Sequence, residues 1–152
     1  MRLSTKGDYA TRILMDLSTA GGSKAVSVAD LAVRTAIPAK YLEQIMLRLK
    51  SAGIVRSKRG VYGGYELARE ADSLTVGEVV RIMDGPLAPS LCASRSAHKP
   101  CPAYRCPSED GCVLRSLWLE VRDAIASVLD GTTFAELARR QNQTQVRDMY
   151  YI

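Results

Sequence analysis

The 152-residue chain has a single histidine, His98, and no cysteine outside the window from Cys92 to Cys112. It has no Cys-x-x-Cys redox pair, no carboxylate pair framed for acid–base work and no phosphate-cradling glycine run ahead of a helix. Enzyme chemistry is left with little to work with. No stretch approaches the roughly 20 apolar residues of a membrane span, and no internal repeat is present. Met1-Arg2-Leu3-Ser4-Thr5-Lys6 is not followed by a secretory apolar run, since Ile13 to Leu17 is short and broken by Asp16. These absences predict a cytoplasmic protein that is not an enzyme and has no membrane partner, a setting that favours free thiols or metal thiolates over disulfides.

What is present is an ordinary globular composition, 47% apolar and 24% charged, with a net charge of +5. That length holds one or two small domains with a real core. The charge is unevenly placed. Residues 34–69 carry eight basic side chains (Arg34, Lys40, Arg48, Lys50, Arg56, Lys58, Arg59, Arg69) against Glu43 and Glu66, and the remainder is close to neutral. A basic segment suits a surface that meets phosphates, although a solvated basic face with no partner has the same composition.

The periodicity predicts a mainly α fold with a small β-hairpin. Residues 3–19 read as a helix with Tyr9, Ile13, Leu14 and Leu17 on one stripe. Ser27 caps a short second helix carrying Val28, Leu31 and Ala32. Pro38 opens a third, with Leu42, Ile45, Met46 and Leu49 at buried-stripe spacing and Lys40, Tyr41, Gln44 and Arg48 on the other face. Two strand-like runs, Ile54–Lys58 and Tyr65–Ala68, flank a glycine-rich turn. Three helices and a wing are the order of a winged helix-turn-helix. A capping box at Thr75 and Glu78 starts another helix, which Asp84-Gly85-Pro86 stops. Leu114, Trp118, Val121, Ile125 and Val128 then form a coiled-coil-like seam, read as a dimerisation helix. A last short helix begins at Thr133, and the tail from Gln141 is expected to be loose. The expected units are a winged-helix domain over 1–85, a cysteine loop over 86–112, dimerisation and terminal helices over 113–140, and a tail over 141–152.

In such a fold the third helix enters the major groove and the wing lies near the backbone. Lys40, Tyr41, Gln44 and Arg48 are therefore candidate readers, since Gln suits adenine and basic side chains suit guanine or phosphate. Arg56, Ser57, Arg59 and Tyr62 are candidate wing contacts. Arg2, Ser4 and Thr5 are candidate phosphate anchors at the first helix N-terminus.

Cys92, Cys101, Cys106 and Cys112, separated by eight, four and five residues, share a loop with Pro100, Pro102, Pro107 and Gly111. Thiolates gathered this way suit a soft metal centre. Zinc knuckles usually pair cysteines two to four residues apart, which these spacings fit poorly. An iron–sulfur cluster fits better, with zinc and thiol-only redox sensing as the open alternatives.

Five blocks of this chain resemble the IscR/NsrR group of bacterial winged-helix regulators. They are Met1–Gly7, Ile37-Pro38-x-x-Tyr41-Leu42-Glu43-Gln44-Ile45, Leu49-x-x-x-Gly53-Ile54-Val55, Arg59-Gly60-x-x-Gly63-Gly64-Tyr65-x-Leu67 and Val76-Gly77-Glu78-Val79. The likeness spans residues 1 to about 139. It implies a homodimer on double-stranded promoter DNA, whose affinity is set by an iron–sulfur cluster (2Fe–2S or 4Fe–4S) responding to redox state, nitric oxide or iron–sulfur supply. It also implies that Cys92, Cys106 and Cys112 are the three family ligands and that Cys101 is extra. The histidine ligand of one branch falls at Arg115 here, so it is absent. The partner-chain aspartate of another branch falls at Asp8. The fourth ligand is thus Cys101 or Asp8 of the second subunit.

Overall fold

A computed structural model describes residues 3–102, 106 and 108–149. Helix α1 (Thr5–Thr19) begins where the Ser4 hydroxyl accepts the Gly7 N–H at 3.1 Å. Ala10, Ile13, Leu14 and Leu17 fall on one face and are completely buried. That face makes α1 the pillar against which α2 (Val28–Thr35), α3 (Ala39–Ser51), α4 (Val76–Asp84) and α6 (Phe134–Met149) pack. Ser27 caps α2, and Ala36 ends it in the left-handed region at φ 54°. That turn buries Ile37 and points Pro38 into the start of α3, whose Leu42, Ile45, Met46 and Leu49 complete the core.

Strands β1 (Val55–Lys58) and β2 (Gly64–Leu67) pair antiparallel, with Val55 opposite Leu67 and Lys58 opposite Gly64. The wing is fastened to the helical body by one rung, in which Val26 and Tyr65 exchange two backbone hydrogen bonds of 2.9 Å. Gly64 makes that approach possible, because a Cβ there would lie 2.1 Å from the Val26 carbonyl oxygen. The expected winged helix-turn-helix is therefore the architecture present.

Helix α5 (Val113–Asp130) has no buried residue. Of the expected seam, Leu114 and Val128 are exposed while Trp118, Val121 and Ile125 are half-buried. Ile125 and Leu129 lean on the core. At its far end Arg81 of α4 grips Asp130 through both terminal nitrogens, at 2.6 and 2.8 Å. Phe134, fully buried, opens α6, and its N–H bonds to Leu74. Helix α6 then continues to Met149, so the stretch from Gln141 is helical there and not the loose tail expected; residues 150–152 lie outside the described residues.

Two outcomes follow. Gly64→Ala should lower stability by several kcal/mol, at the upper end for single substitutions, because the backbone rung must open; denaturant unfolding checks this. The Asp130 pKa is lowered, chiefly by the hydrogen bond from Arg81, whose own pKa is raised. A depressed carboxyl stabilises the fold above its unfolded pKa, and that contribution is lost as pH falls toward the folded value. Asp130→Asn should therefore cost up to about 1 kcal/mol near neutral pH and little in strong acid, as partly exposed pairs do; thermal melts from pH 7 down to 3 measure the difference.

Candidate sensor loop and nucleic-acid interface

Beyond α4 the chain buries Leu87 and reaches a short 3₁₀ turn, Leu91–Ala93. Cys92 is buried there, its sulfur 3.2 Å from the Ser90 hydroxyl. Cys101, Cys106 and Cys112 are half-buried, and all four thiols are free. Cys112 sits at the N-cap of α5. Its sulfur lies over the first-turn N–H groups without completing a capping hydrogen bond. The Arg115 N–H first, then the Cys106 thiol, pull its pKa down. Cys106 is pushed up by hydrogen bonding to Cys112, and Cys101 is pushed up by hydrogen bonding to Cys92, with desolvation and neighbouring negative charge adding to both. The Cys106 thiol also donates to the Ser108 carbonyl at 3.2 Å.

Helix α5 holds this loop by its backbone. Arg115 Nε donates to the Cys92 carbonyl at 3.1 Å, and Arg122 Nη1 donates to the Ala93 carbonyl at 2.7 Å. The rest of the Arg122 fork lies on Asp123, which also receives Arg95 at 3.1 Å. Glu109 lies in the turn between Cys106 and Cys112, and its carbonyl accepts the Cys112 N–H. Its Oε2 lies 3.1 Å from His98 Nε2 and 3.7 Å from Arg115 Nε, while Oε1 is buried with no hydrogen-bond partner among the described residues. None of Glu109, Arg115 or Arg122 stands out in the sequence as a loop-organising residue; Glu109 and Arg115 at least flank Cys112, whereas Arg122 lies well along α5.

Among the described residues, no three His, Cys, Asp or Glu side chains converge as a single metal ion requires. What the loop does offer is four free thiols and, among the described residues, a buried carboxylate oxygen without a hydrogen-bond partner, the soft and hard donor types that iron accepts. In donor chemistry, then, the residues fit an iron–sulfur group. Asp8 of the same chain pairs with Arg12 at 2.9 Å and lines a surface notch with Leu3, Thr35 and Ala36.

The expected reading face is laid out on α3, where Lys40, Gln44 and Arg48 are exposed. Tyr41 is half-buried, its ring edge-on to Tyr9 with centroids 5.6 Å apart. Thr5, Tyr9, Pro38, Lys40, Tyr41 and Gln44 line a shallow apolar cleft of about 470 Å³. The sequence places Tyr9 on the buried stripe of α1, and only the packing shows that it also borders α3. On the wing, Arg59 is exposed and Tyr62 is 90% exposed. Two wing candidates are already engaged: Arg56 Nε donates to the buried Glu66 at 2.7 Å, and Ser57 accepts Lys50 Nζ at 2.7 Å. The Ser4 hydroxyl and N–H both donate to Asp84, so an internal carboxylate occupies the donors expected to anchor phosphate. Thr5 is exposed beside it. Arg2 lies outside the described residues.

The sequence pattern of Rrf2, described as an iron-dependent transcriptional regulator, matches residues 3–140. The chain belongs to the Rrf2 family. Among its relatives, the HTH-type transcriptional regulator CymR of Bacillus subtilis is 34% identical over the whole of both chains. Its solved structure, titled as the global cysteine regulator, superposes with a TM-score of 0.73 and covers 92% of this chain and 98% of that one. Protein rrf2 of Nitratidesulfovibrio vulgaris is 37% identical over 91% of this chain and 88% of its own length. The solved T. potens IscR is 31% identical, with a TM-score of 0.72, covering 95% of this chain and 91% of that one. This Rrf2 protein is therefore a DNA-binding transcriptional regulator and not an enzyme. Among the described residues, no helix is long and apolar enough to cross a membrane.

The pKa pattern of the loop has a direct chemical readout, because the thiolate is the reactive form. In metal-free protein near pH 7, an alkylating reagent should modify Cys112 ahead of Cys101 and Cys106, whose reaction should rise only at higher pH. Mass mapping after timed quenching gives the order.

Proposed function

We propose that this regulator binds near-palindromic promoter DNA as a homodimer in the cytoplasm, and that an iron–sulfur cluster held by the cysteine loop sets its grip. The observation that carries the reading is the stitching of Cys92 and Ala93 to α5 by Arg115 and Arg122. Whatever orders the cysteines thereby orders the helix that carries an unpartnered apolar face. Leu114, Leu117 and Val128 of that face are 46–66% exposed, and a second α5 is the natural cover. Cys92, Cys106 and Cys112 would hold the cluster, with Cys101 or the partner's Asp8 as further candidates. The bound group supplies an electron- and oxidant-sensitive centre. The chain's own contribution is to order the loop, fix α5 and so set the spacing of two α3 helices, which must meet half-sites about one DNA turn apart.

On the duplex, Gln44 and Lys40 would face base edges, and Arg48, Arg59 and Tyr62 would face the backbone. The apolar cleft between Tyr9 and Tyr41 suits a thymine methyl. Arg56, Ser57 and Ser4 would act through Glu66, Lys50 and Asp84 in shaping the surface, while Thr5 and Arg2 keep their candidacy as phosphate contacts.

A second reading, regulation by the thiols alone, is favoured by four free thiols sharing one loop and by likeness to a protein named as the global cysteine regulator of B. subtilis. Anaerobic purification followed by iron and sulfide counts and a visible spectrum separates the two. Under the first reading the protein is brown, and Cys106→Ala abolishes the colour and shifts promoter affinity to that of cluster-free protein. Colourless protein whose DNA affinity changes with thiol oxidation supports the second.

The interface makes its own predictions. Gln44→Ala should cost about 1–3 kcal/mol of discrimination at one base pair. Arg59→Ala should weaken binding to all sequences alike and flatten the salt dependence by about one unit of slope. Affinity titrations on specific and scrambled duplexes, each at several salt concentrations, distinguish these effects.

A further inference from the structure

We infer that Glu109 is itself an iron ligand, its Oε1 completing a donor set with Cys92, Cys106 and Cys112. The inference rests on the cluster reading above and names a ligand that the family resemblance does not supply.

Three observations carry it. Glu109 Oε1 is buried and has no hydrogen-bond partner among the described residues. A carboxylate oxygen withdrawn from water without a donor is strongly disfavoured, so a group that recovers that loss is expected on it. The other oxygen is already fixed, lying 3.1 Å from His98 Nε2 and 3.7 Å from Arg115 Nε. Ligating carboxylates are typically oriented in this way, one oxygen held by outer contacts while the other faces the metal. Finally, Glu109 lies in the turn between Cys106 and Cys112, and its negative charge is felt at both Cys101 and Cys106. It therefore shares the space of the thiols.

What sets Glu109 apart within one chain is its orphaned oxygen, whereas Asp8 is ion-paired to Arg12 on α1. A mixed donor set also suits a sensor. One hard oxygen among soft thiolates gives the centre its most exchangeable position, where an incoming oxidant or nitric oxide can enter while the three thiolates keep the iron in place. His98 and Arg115 then act as positioning residues for that oxygen.

The test uses full-length protein reconstituted anaerobically with iron and sulfide. Wild type, Glu109→Gln, Glu109→Cys, Cys101→Ser and Asp8→Ala are compared by iron and sulfide counts, visible absorption and resonance Raman spectra, and rate of loss to a chelator. Glu109→Gln should keep the native circular dichroism, shift the charge-transfer and iron–ligand bands, and lose the cluster about tenfold faster or more. Glu109→Cys should restore retention with the spectrum of an all-thiolate centre, a rescue that a merely structural carboxylate would not permit. Cys101→Ser and Asp8→Ala should leave the spectrum unchanged. Superimposable wild-type and Glu109→Gln spectra overturn the assignment, as does a changed spectrum confined to Cys101→Ser or Asp8→Ala. Wild-type protein that takes up no iron and sulfide overturns the cluster reading itself, a failure seen without any variant.

Discussion

Burial of one face of α1 is the constraint on which the rest of the molecule depends. Ala10, Ile13, Leu14 and Leu17 are wholly withdrawn from water, and four other helices dock on that helix. Each side chain of this size contributes about 1.5–3 kcal/mol when fully buried. The stripe therefore fixes the tilt of α3 and, through the Val26–Tyr65 rung, the position of the wing. The reading surface is rigid because its inner side is core. Helix α5 is the opposite case: it carries apolar residues but buries none, and it is held mainly by guanidinium groups on carbonyls and carboxylates. Stability resides in one half of the protein and adaptability in the other.

That division explains what could be read from the sequence. The helices of the winged domain follow from periodicity and caps, since Ser27 and Thr75 each accept the expected first-turn N–H, while the cap at Ser4 emerges only in the structure. The hairpin follows from its glycines, and the place of the cysteine loop follows from composition. The length of α6 does not, because its last turns are polar and carry no periodic signal past Gln141. Arg56 shows a different limit. Nothing in a local window reveals that register sets it opposite Glu66, which removes it from the pool of free cations. Glu109 is a third kind of case, since burial of one oxygen depends on loop conformation and has no pattern in sequence.

The cysteine loop also shows why clustered thiols alone underdetermine chemistry. Four sulfurs in a proline-rich window admit a cluster, zinc or disulfide exchange. Local electrostatics adds a difference between the thiols. The backbone N–H of Arg115 at the start of α5 lowers the Cys112 pKa, while the neighbouring Cys112 raises that of Cys106. Alternation of ready and reluctant donors is a property of the fold, imposed by where one helix begins.

The double donation from Ser4 to Asp84 has a wider consequence. Asp84 is the last residue of α4, immediately before Gly85 and Pro86 lead into the cysteine-bearing segment. The first turn of α1 and the start of the cysteine-bearing segment are thus tied at a single joint. Under the proposed function, a change in the path of the chain after Pro86 would pull on the foot of the pillar itself, a route to α3 within one subunit and separate from any rearrangement between two.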